Sequence, residues 1–193
     1  MQRCSWAQKE LDVKYHDEEW GVPQFDEIRL FEKLCLEGAQ AGLNWSLILA
    51  RREEYRRVFK GFQLEPVLSI TEAEVEDILI NSGIVRNRAK VLSVISNARA
   101  VAALHERGTT LKDFLWDFVD GQPIQNEWTT LGQIPATTAI SDAMSKALKN
   151  QGFKFCGSTI CYSLMQACGL VNDHAVSCFR YEVIRNWSAT SQR

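Results

Sequence analysis

The sequence predicts an all-α protein built from many short helices. Apolar residues recur at helical spacing in most segments, no segment sustains the period-two alternation of a strand, and capping residues or glycines bracket the periodic stretches. The 193 residues suffice for one packed domain, and a hydrophobic content of 46% is typical of a globular chain rather than a disordered one. We therefore expect a single domain over residues 1–193.

The first clear helix is predicted to start after Asp26, a residue type that favours the N-cap position. Leu30, Phe31, Leu34 and Ala41 then recur at helical spacing and form one apolar face. A second helix is predicted over the stretch SLILARREEYRRVFKGF, where a glycine near the end stops it. Both helices are amphipathic, so both are expected to pack against the core.

Four more helices are predicted downstream. TEAEVEDILINSG begins with Thr71 as N-cap, carries a glutamate three residues later and ends at Gly83. RNRAKVLSVISNARAVAALHERG presents a single apolar stripe, formed by Val91, Val94, Ile95, Ala98, Val101 and Ala102. SDAMSKALKNQG and STICYSLMQACG each end in a glycine, and NWSATSQR is predicted to be a polar tail.

Composition excludes a membrane protein and a secreted one. No apolar run approaches the roughly 18 residues that a membrane span requires, and the N-terminal stretch lacks the apolar core of a signal peptide. We therefore predict a soluble cytoplasmic protein, with a monomer as the default state. In that reducing compartment the six cysteines are expected to be thiols or metal ligands rather than disulfides.

Basic residues are segregated along the chain although the net charge is only −2. Residues 81–105 contain no Asp or Glu but four basic side chains, and residues 143–172 contain no acid but three lysines. Two basic faces of this kind could meet a polyanion such as nucleic acid. Charge alone favours the alternative, in which these faces are ordinary solvated helix surface.

His174 and Cys178 stand four residues apart in the stretch LVNDHAVSC. The preceding Asn-Asp pair predicts a helix that starts there, which would place both side chains on one face, as half of a zinc site. Cys4 and His16 are the candidates for the other half. The alternative is a set of packed thiols and surface imidazoles, because the spacing between Cys4 and His16 is not specific for a metal site.

Glu37 lies beside the apolar stripe of the helix that starts near Asp26. Burying a carboxylate there costs free energy unless it forms hydrogen bonds or has a function. GAQAGLNW follows Glu37, with small residues that allow close approach and an aromatic, Trp45. A partly buried acid beside an aromatic ring can recognise a cationic ring. A satisfied carboxylate at the edge of the core is an equally good interpretation. Trp6, Tyr15 and Trp20 cluster upstream, and core packing is the simpler interpretation for them.

NSGIVRNRAKV reads as a helix end, a glycine turn and a helix start. The backbone N–H groups and the dipole at the second helix start, with Arg86, Arg88 and Lys90 nearby, could bind a DNA phosphate without reading sequence. The alternative is a plain connection between two bundle helices, which is the commoner case for such a pattern.

Together these motifs resemble a known family. RCSW, YHDEEWGVP, CLEGAQAGLNW, SGIVRNRAKV and SKALKNQGFKFCGSTICYSLMQACGLVNDH, followed by a cysteine, occur in the order found in bacterial 3-methyladenine DNA glycosylases I, over about residues 3–180. The resemblance implies membership of the helix-hairpin-helix DNA glycosylases, with an all-α fold and a base pocket between two helical subdomains. Residues 1–20 and about 140–180 would form a zinc-tethered subdomain, and about 25–135 would form the other, with the hairpin at 81–90.

The resemblance also implies roles for individual residues. The family's structural zinc ligands match four residues at the two chain ends: Cys4, His16, His174 and Cys178. Its pocket carboxylate, the catalytic group, matches Glu37. Its base-binding aromatic residues match Tyr15, Trp45, Trp6 and Trp20. Leu43 matches a DNA-binding position that probes the gap left by the extruded nucleotide. The family's DNA-binding hairpin matches four further residues: Gly83, Arg86, Arg88 and Lys90.

The implied activity is hydrolysis of the N-glycosidic bond that joins 3-methyladenine to alkylated double-stranded DNA, by a monofunctional enzyme that leaves an abasic site. Four protein ligands argue against a catalytic zinc, which keeps one position open. The chain departs from the wider superfamily in two places, because the hairpin lacks a G-x-G core and no catalytic Asp follows it. The chemistry is therefore assigned to Glu37 or to the substrate itself. Asp12 is a third departure, in a segment expected to form part of the pocket wall.

Overall fold

The computed structural model describes residues 1–187, and this part of the chain is mostly helical, as predicted. Two-residue strands β1 (Ile124–Gln125) and β2 (Val171–Asn172) pair in parallel. Short 3-10 turns lie at Lys60–Phe62, Asp117–Val119 and Leu131–Gln133. The α-helices, in chain order, are α1 (Glu10–Glu18), α2 (Glu27–Gln40), α3 (Trp45–Ala50), α4 (Arg52–Val58), α5 (Leu64–Leu68), α6 (Glu72–Asn81), α7 (Arg88–Glu106), α8 (Leu111–Trp116), α9 (Ala139–Asn150), α10 (Ser158–Ala167) and α11 (Phe179–Arg185).

Side chains cap the helices where the sequence predicts. The Asp26 carboxylate accepts the backbone N–H of Arg29 at 2.9 Å and starts α2. At α6, Thr71 Oγ1 accepts the Glu74 N–H at 3.3 Å, while the Glu74 carboxylate accepts the Thr71 N–H at 2.9 Å. Each cap satisfies N–H groups that have no partner inside their own helix. Both N-cap predictions are therefore confirmed.

The predicted helix SLILARREEYRRVFKGF is instead two helices, α3 and α4, which meet at Arg51. The Arg51 N–H donates to the Ile48 carbonyl at 3.0 Å, and the backbone of Arg51 has φ −104° and ψ 3°, outside the helical range. Ile48 on α3 and Tyr55 on α4 are both buried, and each helix has its own neighbours, since α3 packs against α1 and α2 whereas α4 packs against the Lys60–Phe62 turn. Packing in the core thus overrides the local helical preference.

The predicted helix from His174 to Cys178 is wrong. Residues 173–178 form a loop and a turn, in which the Cys178 N–H donates to the Ala175 carbonyl at 2.7 Å. Cys178 is itself the N-cap of α11, with an extended backbone at φ −76° and ψ 136°. A turn, rather than one helical face, therefore brings His174 and Cys178 together.

Helix α2 is the centre of the fold, because it packs against α3, α7, α8 and α10. Nine of its 14 residues are buried, and six of these belong to a core cluster that also includes residues of α7 and α10. Helix α10 packs against both α2 and α9, so it joins the N-terminal third of the chain to its C-terminal part. The C-terminal end of α2 therefore lies at the junction of these two parts.

The two ends of the described chain meet along a seam. The backbone N–H of Gly21 donates to the Gln166 carbonyl at 3.1 Å, and the Phe179 N–H donates to the Gln2 carbonyl at 3.0 Å. Gly169 has φ +71°, and a Cβ atom placed on it would lie 2.5 Å from the backbone nitrogen of Pro23. Only glycine allows backbones to approach this closely.

No helix in residues 1–187 is long and apolar enough to cross a membrane. The six cysteines are buried free thiols in the structure. The predicted polar tail lies largely at residues 188–193, outside the described residues.

Candidate active site and metal centre

A cavity of about 410 Å³ lies where the N-terminal segment, α2, α3 and α10 come together. Five of its lining residues are those that the resemblance assigns to the base pocket: Trp6, Tyr15, Trp20, Glu37 and Trp45. They come from separate parts of the chain, so the fold alone brings them together. Their placement around one cavity agrees with the prediction, whereas their roles stay predictions.

The aromatic rings form the walls of this cavity. The Tyr15 and Trp45 ring centroids are 5.2 Å apart with planes inclined by 44°, and the Trp6 and Trp20 centroids are 5.2 Å apart with planes near perpendicular, at 73°. Tyr15 and Trp20 are buried, while Trp6 and Trp45 are half-buried. Burial raises the pKa of Tyr15 well above its usual value, so its hydroxyl stays protonated and can donate a hydrogen bond.

Glu37 lies on the last turns of α2 and is only 4% exposed. Within residues 1–187 no protein donor forms a hydrogen bond with its carboxyl group. Burial raises the pKa of Glu37 to about 8, an effect that the positive charge of Lys33 partly offsets. A buried carboxyl without a protein partner is unusual, and here it borders an aromatic cavity.

The raised pKa of Glu37 predicts a pH-dependent stability. The folded protein holds the Glu37 proton more tightly than the unfolded chain, so ionisation increasingly destabilises the fold as pH rises from the unfolded pKa, about 4.5, to about 8. We expect Glu37→Gln to become more stable relative to the wild type by roughly 3–5 kcal/mol between about pH 4 and about pH 9. Urea unfolding of both proteins across this range measures the difference, and a constant difference would contradict the assignment.

The opposite wall of the cavity was not predicted from sequence. It consists of a loop and one helix face: Leu131, Ile134, Pro135, Ala136, Thr159, Tyr162, Ser163 and Gln166. Nothing in these residue types distinguishes them from ordinary core and loop residues, so no sequence signal was available.

Asp173 stabilises this opposite wall through four hydrogen bonds. Its buried carboxylate accepts hydrogen bonds from Tyr162 and Gln166 on α10, at 2.7 and 2.8 Å, and from Asn126 and Trp128 in the loop after β1, at 2.7 and 2.8 Å. The sequence interpretation of this aspartate as part of a helix cap was wrong, because no helix starts at that point. The carboxylate instead ties α10 to the loop that completes the cavity.

The four predicted metal ligands form one buried cluster: Cys4, His16, His174 and Cys178. Their candidate ligand atoms all lie within 4.8 Å of one another. Cys178 Sγ is 3.4 Å from His16 Nε2 and 3.6 Å from His174 Nδ1, and Cys4 Sγ is 3.6 Å from the same His174 nitrogen. A tetrahedral site with Cys and His ligands has edges of about 3.3–3.8 Å. The cluster can therefore hold a metal ion.

Both imidazoles of the cluster are oriented by a second hydrogen bond. His174 Nε2 lies 3.1 Å from the Trp20 carbonyl, and His16 Nδ1 lies 2.7 Å from the Asp17 carboxylate, which also pairs with Arg3. Each partner is an acceptor, so the nitrogen that faces it carries the proton. The other nitrogen of each ring is then free to bind a metal.

The predicted hairpin consists of α6, a turn over residues 82–87, and α7. Gly83 and Arg86 are exposed on this turn. The Gly83 N–H donates to the Glu54 carboxylate at 3.2 Å, and the Gly83 carbonyl accepts from Arg51 Nε at 2.8 Å. Arg86 donates to the Ile80 carbonyl at 3.3 Å. The turn is therefore braced by helix α4 and presents Arg86 at the surface.

Among the other predicted DNA contacts, Leu43 is exposed, whereas Arg88 and Lys90 interact with other parts of the protein. Leu43 is 37% exposed, in the loop between α2 and α3. Arg88 pairs with two acids of α6, Glu72 and Glu76. The Lys90 ammonium group donates to two backbone carbonyls at the end of α2. Arg88 and Lys90 thus already have partners within the protein, and a direct contact with DNA stays a prediction for both.

Asp12 is not among the residues that line the cavity. It is buried on α1, and both of its carboxylate oxygens lie 2.8 Å from Ser46 Oγ on α3. The pair fastens α1 to α3 next to Trp45. The aspartate at position 12 therefore does not form part of the cavity wall.

The fold and site together define a helical protein with an aromatic cavity that contains one buried acid, next to a Cys and His cluster that could hold a metal ion. The methyladenine glycosylase family model matches residues 6–181. DNA-3-methyladenine glycosylase 1 of Escherichia coli is 51% identical over 182 residues, which cover 94% of this chain and 97% of that protein. The Haemophilus influenzae DNA-3-methyladenine glycosylase is 44% identical over 177 residues, covering 91% and 96%.

Solved structures agree with these relatives. A crystal structure of 3-methyladenine DNA glycosylase I superposes with a TM-score of 0.90 at 52% identity, covering 92% of this chain and 98% of that one. The chain therefore belongs to the methyladenine glycosylase family. This membership confirms the predicted activity, release of 3-methyladenine from DNA by a glycosylase.

Proposed function

We propose that the aromatic cavity holds one extruded N3-alkylated adenine during hydrolysis of its glycosidic bond, with Glu37 as the catalytic group. The observation that supports this most directly is the Glu37 carboxyl, buried in an aromatic cavity without a protein partner. The cavity volume of about 410 Å³ lies within the range of small-molecule sites. A base must leave the stack to reach such a cavity, at a cost of a few kcal/mol.

The chemistry requires little acid catalysis. N3-alkylated adenine is cationic while attached to the sugar, so it is already a good leaving group. Glu37 ionises when this cation enters, because an opposite charge nearby favours the carboxylate and offsets the effect of burial on its pKa. The carboxylate then accepts hydrogen bonds from the base. Trp45 and Tyr15 stack on an electron-poor ring, and Trp6 and Trp20 enclose it.

As the bond breaks, positive charge moves from the base to the sugar. A carboxylate held nearby in a water-poor site stabilises that charge more strongly than one in water. Water then adds to the sugar carbon, and the product is an abasic site. No nucleophilic lysine is needed for these steps, which agrees with a monofunctional hydrolase.

We propose zinc as the ion of the cluster, in a structural role. Two thiolates and two imidazoles suit Zn²⁺, and four protein ligands leave no position for water or substrate. When bound, the ion supplies a cross-link between the chain ends. Trp20 connects this cluster to the cavity, since its side chain lines the cavity and its carbonyl accepts a hydrogen bond from His174.

We propose that the protein binds double-stranded DNA through its hairpin and the Leu43 loop, as a helix-hairpin-helix glycosylase. Gly83 and Arg86 are exposed on the hairpin, and the start of α7 offers backbone N–H groups to a phosphate. Leu43, exposed in its loop, enters the gap that the base leaves. Arg88 lies beside the turn, where a DNA phosphate would have to compete with Glu72 and Glu76 for its guanidinium group.

The proposed subdomains follow the chain as the resemblance implies. Residues 1–20 and about 140–180 form the zinc-tethered part, and about 25–135 form the part that contains the hairpin at 81–90. Cavity residues come from both, which supports a pocket between them. We propose a monomer that acts in the cytoplasm, where six free thiols remain reduced.

Base release from methylated duplex DNA tests the proposal. The wild-type protein should release 3-methyladenine, identified by chromatography. Strand breaks should appear only after alkali treatment, since a monofunctional enzyme leaves the abasic strand intact. Absence of released 3-methyladenine, or breaks without alkali, would overturn the proposed reaction.

A further inference from the structure

Lys90 connects the hairpin to the loop that carries Leu43. It lies in the first turn of α7, three residues beyond the hairpin turn, and its Nζ donates to the carbonyls of Ala39 and Ala41 at 2.8 and 2.7 Å. These carbonyls belong to the C-terminal end of α2, where helix carbonyls lack partners and a positive charge is favourable. Lys90 therefore links the hairpin to the start of the Leu43 loop, and both belong to the proposed DNA interface.

The carbonyl of Gln40, which lies between Ala39 and Ala41 in sequence, also accepts a hydrogen bond. The Gln40 carbonyl accepts the Leu43 N–H at 2.6 Å, and the Gln40 side chain donates to the Leu43 carbonyl at 3.3 Å. Gly42, with φ +74°, allows the sharp turn between them. Three successive carbonyls are thus fixed, two by Lys90 and one by Leu43 itself. The Lys90 ammonium group thus holds two of the three carbonyls that precede Gly42.

This loop adjoins the cavity as well as the surface. Gln40 lines the cavity, Leu43 is exposed, and Trp45, which follows at the start of α3, lines the cavity again. Lys90 is half-buried, and burial lowers its pKa, as expected for an ammonium group held away from bulk water. Its charge is directed into the protein rather than toward solvent.

We propose that Lys90 is a positioning residue for base extrusion, which holds the Leu43 loop at a fixed place relative to the hairpin instead of contacting a DNA phosphate. The inference rests on the proposed function, in which the hairpin grips the backbone and Leu43 fills the gap left by the base. A rigid connection between these two elements fixes where Leu43 meets the duplex. Without it, the loop loses its shape although the cavity and the hairpin remain.

The variant Lys90→Met removes the donors and keeps most of the side-chain length. We expect single-turnover release of 3-methyladenine from duplex DNA to fall by about tenfold to a hundredfold, the effect of losing hydrogen bonds to a charged group. Binding of the free base 3-methyladenine, followed by tryptophan fluorescence, should stay within about twofold, because Glu37, Tyr15 and Trp45 lie on helices rather than in the loop. An equal loss of free-base binding would overturn the proposal and indicate a deformed cavity.

Salt dependence separates positioning from phosphate binding. A lost phosphate contact reduces the slope of log affinity against log salt concentration by about one. Lys90→Met should leave the slope for undamaged duplex unchanged, whereas Arg86→Met, at an exposed hairpin position, should reduce it. A reduced slope for Lys90→Met would overturn the proposal in favour of a direct DNA contact.

A double-mutant cycle tests the connection to Leu43. If Lys90 acts through the loop, then Lys90→Met should have little further effect on excision in a Leu43→Ala protein, because coupled residues are not additive. Fully additive effects would overturn the proposal. Lys90→Arg, which keeps a charged donor, should recover part of the activity, and no recovery would count against a hydrogen-bonding role.

Controls keep the result interpretable. Lys112→Met removes a half-exposed lysine of α8 that pairs with Asp113, and it should leave excision unchanged. Rates are expressed per active site, counted by free-base binding, so a less stable variant is still measurable. A wild-type protein without glycosylase activity would refute the proposed function. An active wild type with an equally active Lys90→Met variant would refute only the role of Lys90.

Discussion

Glu37→Gln should lower the single-turnover rate of 3-methyladenine release from duplex DNA by about a hundredfold to a thousandfold, the range seen when one preorganised electrostatic group is lost. The amide keeps the shape of the side chain but carries no negative charge to meet the cationic base. Free-base binding should weaken as well. The Glu37 carboxyl group has no hydrogen-bond donor among residues 1–187, so both of its oxygens can accept hydrogen bonds from the ligand.

Glu32→Gln is a matched control on the same helix. Glu32 is also buried on α2, but it pairs with Arg29 and Arg56, so it already has protein partners. It is not among the residues that line the aromatic cavity. We expect this variant to lose stability and to keep its excision rate per folded molecule. Unchanged excision by Glu37→Gln would refute the catalytic assignment.

Cys178→Ser should release the bound metal and destabilise the fold by several kcal/mol, because metal-binding free energy contributes to folding when the site forms only in the native state. Excision should decline with the folded fraction and with weaker base binding, as the cavity loses the support of Trp20. Metal content, thermal unfolding and single-turnover rates are measured on the same preparation.

Cys161→Ser provides the comparison, since Cys161 is a buried thiol outside the cluster. It should keep its metal although a polar group is buried in the core. The decisive result concerns a Cys178→Ser protein that has lost its metal and remains folded. If such a protein binds the free base normally but no longer hydrolyses the bond, the structural role of the ion is wrong.

The sequence predicted local features that depend on near neighbours. The caps at Asp26 and Thr71 follow from side chains that satisfy backbone groups three residues away, and the apolar stripe of α7 follows from its own periodicity. The four cluster residues were only candidates on spacing alone. The resemblance to a family completed the set, because no local pattern connects residues that are more than 150 positions apart.

Features that depend on the packing of distant segments could not be predicted. The break at Arg51 lies between α3, which packs against α1 and α2, and α4, which packs against the Lys60–Phe62 turn, although the local sequence favours helix throughout. The stretch before Cys178 has helical capping signals, but the carboxylate of Asp173 binds α10 and the loop after β1 instead. Lys90 appeared to be a surface charge, since nothing near it in sequence shows that the end of α2 lies within its reach.

The seam between the chain ends has a consequence for synthesis. Cys4 and His16 emerge early from the ribosome, but their partners His174 and Cys178 are among the last residues made. The core around α2 also needs late residues, because α10 (Ser158–Ala167) packs against α2 and belongs to the same core cluster. The cluster that could hold a metal ion is completed only when His174 and Cys178 have been made. A chain that ends before α10 therefore also lacks one wall of the aromatic cavity.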